Sequence, residues 1–170
     1  MSFLGSTMLL CTTALAGSLG SSPQPNQLEE VYKPRRVALL VGINAYEDPD
    51  LDTLRFSAKD ARDLGGVLAA DSPGGFDQVT IIDHAAGATR AAIEQAIASA
   101  TSDLQRDDTF LLYLSGHGTL TLHPTNGTRL WFLPSDGVLT NARTTGLSVD
   151  WLEERVGNLV ARRRVLILDT

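Results

Sequence analysis

The chain has 170 residues, 43% of them hydrophobic and 20% charged, and a formal net charge of −6. That length and apolar content suit one domain with a sizeable core. The acidic balance argues against nucleic acid and against an anionic membrane surface, because both recruit proteins through a basic face; it fits a cationic partner or simple solubility. A single cysteine, Cys11, rules out a disulfide within the chain.

Residues 1–34 read as a leader and linker. An apolar run, Met8 to Leu15, ends in Ala14-Leu15-Ala16 before Gly17, which suits signal peptidase, although no Lys or Arg precedes it. A disordered leader or a misplaced start is the other reading, so the compartment is cytoplasmic, or exported if 1–16 is a signal peptide. The run is too short and too polar to span a bilayer. Residues 17–34, rich in Gly, Ser, Pro and Gln, have linker composition.

Folding signals begin at Arg35 and continue to residue 170. Val37 to Val41 is a continuous apolar run closed by Gly42, the pattern of a strand buried on both faces. "SAKDARDLGGVLAA" places Ala58, Ala61, Leu64 and Leu68 at helical spacing, with Ser57 as the predicted N-cap. A second strand follows at Val79 to Ile82, then an alanine-rich helix opening at Thr89. Thr109 to Ser115 reads as the third strand. "TLTLHPTNGTRLWFLPSD" alternates around Asn126-Gly127, a turn signal that predicts a β-hairpin. Asn126-Gly127-Thr128 also matches a glycosylation acceptor, but the turn explains it without sugar. "SVDWLEERVGNLV" is a third helix capped by Ser148, with acidic residues in its first turn. Val165 to Leu168 is a fourth strand.

Strands alternating with helices predict right-handed βαβ units. The fold class is therefore α/β: a three-layer α-β-α sandwich with a mostly parallel sheet, helices on both faces, and an added hairpin. Sites in such sheets lie at the carboxyl ends of the strands. His117 follows the end of strand three, and Asp169 and Thr170 close strand four. If those strands are neighbours, their tips lie side by side.

Histidine is the natural proton shuttle near neutral pH. Gly116 and Gly118 leave the backbone bare on both sides of His117, so a carbonyl could approach the Gly118 amide as an oxyanion hole requires. On spacing alone, a loop histidine between two turn glycines explains the stretch equally well. No G-x-G-x-x-G or Walker loop follows the first strand, which speaks against a nucleotide-binding signalling domain. The three histidines have no zinc-site spacing, and G-x-S-x-G is absent. Ser115, two residues before His117 on a strand end, reads as a pocket-shaping residue and not a nucleophile.

Five pieces occur together in order: "RVALLVGIN", "LRFSAKDARDL", "LLYLSGHG", "WFLPSDG" and "RRVLILDT". This set resembles the caspase-like cysteine peptidases of the C14 type, and their metacaspase and bacterial branch in particular. The resemblance covers about residue 35 to the end. It implies a cysteine endopeptidase in which His117 is the general base and Gly118 lends its amide to the oxyanion hole. The matching strand carries the nucleophilic cysteine after Asp and a small residue, here Asp169 and Thr170. The resemblance therefore places the nucleophile one residue beyond Thr170, along with a further part that adds strands to the sheet. The stretch ending at Thr170 is expected to be inactive by itself, with its fourth strand left as an exposed edge.

In the basic-specific branch, acidic residues bind an Arg or Lys side chain of the polypeptide substrate. The resemblance puts them at Asp60 and Asp169, with Ser115 beside them. Two carboxylates around a guanidinium give charge-assisted, forked hydrogen bonds. The alternatives are a solvated helix residue for Asp60 and a strand-end cap for Asp169. Arg55 is a competing thought, since the aspartate-cleaving branch uses arginines near there, but Asp169 would then oppose the substrate's charge. The chemistry needs no cofactor; some relatives are activated by calcium, for which no residues can be assigned here. A non-catalytic caspase-like interaction module is the competing function, and the residue at position 171 distinguishes the two.

Overall fold

A computed structural model describes residues 33–84, 87–123 and 127–170. The leader and most of the linker, with the signal-peptide reading, lie outside the described residues, as does Asn126 of the hairpin turn. Residues 34–170 form a compact unit built on a sheet of four parallel strands. These are β1 (Arg36–Gly42), β2 (Gln78–Ile82), β3 (Thr109–Ser115) and β7 (Arg163–Asp169), in the spatial order β2-β1-β3-β7. The two continuous apolar runs supply the central strands, as burial on both faces requires. Leu39, Leu40, Leu112 and Leu114 are wholly buried, each contributing on the order of 2 kcal/mol through removal from water.

Helix α1 (Ser57–Leu68) packs on one face of the sheet, where Ala61, Leu64 and Leu68 meet Ala38, Leu40, Leu111 and Tyr113. Helix α2 (Arg90–Thr101) belongs to the opposite face, with Ile93 and Ile97 in the larger core beside Leu39, Phe110 and Leu112. The predicted three-layer α/β arrangement is therefore present. Thr89 caps α2 by accepting the Ala92 amide, as its sequence position predicts.

The expected cap of α1 is corrected. Ser57 is the first helical residue, Phe56 occupies the N-cap, and neither side chain caps the helix. Asn44 does so from beyond β1, its Oδ1 accepting the Ala58 amide at 3.0 Å. The contact exists because the end of β1 abuts the start of α1: a Cβ on Gly42 would lie 2.2 Å from the Ser57 carbonyl oxygen.

The hairpin forms from antiparallel strands β4 (Gly118–His123) and β5 (Gly127–Phe132). Gly127 has φ +75°, which suits glycine at a tight turn. A 3₁₀ turn (Leu139–Asn141), a short helix α3 (Ala142–Thr145) and strand β6 (Leu147–Ser148) follow. They were not predicted; segments of two to four residues show no period long enough to read. Helix α4 (Val149–Gly157) is capped by Ser148 through the Trp151 amide. It ends before the predicted Val160, at an Asn158 cap. Strand β7 is one edge of the sheet, β2 the other, and Val165 and Ile167 on the α1 face of β7 are partly exposed. Among the described residues, no helix is long and apolar enough to cross a membrane.

Candidate functional site

Parallel pairing of β3 with β7 brings the two strand tips together in register. Ser115 stands opposite Asp169, and the Gly116 amide donates to the Asp169 carbonyl at 3.1 Å. Side chains alternate along a strand, so Tyr113 and Ser115 share the α1 face, and Ile167 and Asp169 share it on the neighbour. Both hydroxyls then reach one atom: Tyr113 Oη and Ser115 Oγ each donate to Asp169 Oδ2 at 3.1 Å. Among the described residues, these are the side-chain bonds that hold this carboxylate, and they occupy one of its two oxygens.

Asp60 comes from the first turn of α1 and stands exposed on the same side. Both carboxylates act on Tyr113. Burial pushes its phenol above the ordinary value, the Ser115 hydroxyl offsets part of that, and the charges of Asp169 and Asp60 add to it. Ser57, Asp60, Ser115, His117 and Asp169 line one cavity of about 270 Å³, with Arg55 and Thr170 at its wall. The sequence reading missed Ser57 as a pocket residue. Its hydroxyl sits one helical turn before Asp60, and that i, i+3 spacing was the available signal.

The two glycines around His117 have a packing reason more than a turn reason, since neither has a positive φ. A Cβ on Gly116 would lie 2.7 Å from Tyr46 Oη and 3.2 Å from the Phe132 ring. A Cβ on Gly118 would lie 2.9 Å from Thr170 Cβ. The bare backbone after His117 is thus pressed against the end of β7.

Gly118 also has a directional feature. The Leu133 amide donates to the His117 carbonyl at 2.8 Å, so 117 and 133 form a hydrogen-bonding position of the hairpin ladder. Such positions alternate in antiparallel pairs, which turns the Gly118 amide away from β5.

The His117 ring is half-buried and held by the loop that follows β1. Its Nε2 lies 2.7 Å from the Asp52 main-chain oxygen. A carbonyl only accepts, so Nε2 carries the proton, and in the neutral ring Nδ1 keeps its lone pair. The loop is itself braced: Leu54 donates to the Asn44 carbonyl at 2.8 Å, and Asp48 Oδ2 accepts the Leu139 amide at 2.7 Å. Tyr46, in the same loop, was also missed; its hydroxyl accepts the His117 amide at 2.7 Å.

The sequence-selected residues His117, Asp60, Ser115 and Asp169 therefore converge on one cavity, and Gly118 adjoins it at Thr170. Arg55, the competing residue, lines the same cavity. A larger groove, about 520 Å³, runs between α2 and α4 past Trp151, but no histidine lines it. Among the described residues, no cluster of three or more His, Cys, Asp or Glu side chains could hold a metal ion.

Comparison with known proteins agrees with this architecture. No curated protein matches the chain. Protein GSU0716 from Geobacter sulfurreducens, a crystal structure, is similar at 27% identity and a TM-score of 0.60, over 79% of this chain and 49% of that one. The chain thus spans about half the length of that structure. The family model of the caspase domain, Peptidase_C14, matches residues 35–170, and the chain belongs to that caspase-domain family.

Proposed function

We propose that the protein is a cysteine endopeptidase that cleaves polypeptides after arginine or lysine. The observation that carries this reading is the meeting, in one cavity, of a histidine whose Nε2 is bound to the Asp52 carbonyl and the two carboxylates of Asp60 and Asp169. The nucleophile in this reading is a cysteine directly after Thr170, where β7 ends beside Gly118.

His117 Nδ1 accepts the thiol proton, and the sulfur attacks the substrate's carbonyl carbon. The carbonyl π electrons move to oxygen, and the Gly118 amide donates to the oxyanion. The C–N bond breaks as His117 returns the proton to the leaving amine. Water, deprotonated by His117, then hydrolyses the thioester and regenerates the thiol. The Asp52 carbonyl keeps Nε2 protonated throughout, so the same nitrogen faces the sulfur in each step.

Asp169 and Asp60 supply the pocket for the cationic side chain. Ser115 and Tyr113 fix one oxygen of Asp169, which leaves the other to accept from a guanidinium. Specificity is tested with the full-length gene product and matched peptides ending in arginine or in citrulline, which has arginine's shape without its charge. Arginine is expected to exceed citrulline in kcat/KM by at least roughly a hundredfold. Equal turnover, or a preference for aspartate, would contradict the pocket.

A further inference from the structure

Tyr46 has no place in the chemistry above, yet it touches the proposed base twice. Its hydroxyl accepts the His117 amide proton at 2.7 Å, across 71 residues of sequence. Its ring lies 4.9 Å from the imidazole, centroid to centroid, tilted by 47°. The hydroxyl itself donates to the Ile43 carbonyl at 3.5 Å.

The amide bond matters because of where His117 sits. It stands opposite Leu133 at the mouth of the hairpin, and its carbonyl takes the Leu133 amide. The return bond of a regular ladder would run from the His117 amide to Leu133; that amide is turned to Tyr46 instead. His117 is thereby bonded to the hairpin through its carbonyl and, through its amide, to the loop that also supplies the Asp52 carbonyl to Nε2. One loop thus grips the histidine at both its main chain and its ring. Gly116 makes room for this grip, since a methyl there would sit 2.7 Å from the Tyr46 hydroxyl oxygen.

We propose that Tyr46 is a positioning residue that fixes the His117 main chain and ring plane so that Nδ1 faces the residue after Thr170. The proposal rests on the peptidase reading for its kinetic consequence, and on geometry alone for its effect on the histidine. Burial raises the Tyr46 phenol to about 12, so it remains a neutral hydroxyl through the neutral range.

The test is Tyr46→Phe in the full-length gene product, which keeps the ring and removes the oxygen. For an arginine-ended peptide, kcat is expected to fall about ten- to a hundredfold with KM unchanged, the signature of a displaced base with an intact binding pocket. The His117 amide proton should move upfield and exchange faster, and the imidazole ¹⁵N shifts should show a smaller Nε2-protonated fraction. Gly116→Ala, whose methyl presses on the same oxygen, should reproduce both changes by a separate route. Wild-type kcat in Tyr46→Phe would overturn the proposal and leave the peptidase reading standing. If the wild-type protein cleaves no arginine peptide, the peptidase reading fails and the spectra decide: unchanged His117 amide and imidazole signals would overturn the proposal, and the shifts described would uphold it.

Discussion

Replacing His117 by alanine in the full-length gene product should lower kcat for an arginine-ended peptide by about a thousandfold or more. The ring's two attachments explain why the loss should be kinetic. Its Nε2 bonds to a main-chain oxygen in a loop that Asn44 and Asp48 already brace, so removing the ring leaves that loop in place. The His117 main-chain bonds to Leu133 and Tyr46 do not involve the side chain and persist. Thermal unfolding should therefore move little while turnover collapses. Turnover within tenfold of wild type would remove His117 from the role of base.

The second large effect is at Asp169. Asn at this position still accepts the Tyr113 and Ser115 hydroxyls through its amide oxygen but carries no charge. Asp169→Asn is therefore expected to lower kcat/KM for arginine peptides by roughly a hundredfold, mostly through KM, with Tm within about 3 °C of wild type. The pairing of β3 with β7 involves the main chain at this position, which is the reason to expect a folded variant. A larger drop in Tm than in activity would identify Asp169 as a strand-end brace. Unchanged turnover would move the cation site elsewhere.

The parts of the fold legible in the sequence are those encoded locally. Val37 to Val41 and Phe110 to Leu114 are unbroken apolar runs because their strands are covered on both faces, and they became the central strands. Thr89 and Ser148 cap the helices that immediately follow them, so a four-residue window suffices to find them. Ser57 looked like the same signal but was not, because the α1 cap arrives from Asn44, 14 residues away, through tertiary contact.

The site divides along the same line. Once β3 and β7 are neighbours, strand alternation puts Ser115 beside Asp169, a placement the sequence offered through its family resemblance. The grip on His117 could not. Asp52 contributes through a main-chain oxygen, which any residue has, and Tyr46 through a contact spanning 71 residues. Neither leaves a mark in the local pattern. The glycines around His117 were visible, but their reason was not: they make room for Tyr46 and Thr170, side chains distant in sequence.

The central claim is that two adjoining strand tips present an imidazole and a sulfur to one point within reach of an acidic pocket. A peptidyl chloromethyl ketone ending in arginine tests it most directly, because alkylation needs the pocket, the base and the nucleophile together. Incubated with the full-length gene product and mapped by peptide mass spectrometry, the adduct is predicted on the residue immediately after Thr170, competed by arginine-ended peptide and lost in His117→Ala. No adduct, or an adduct confined to Cys11, would contradict it.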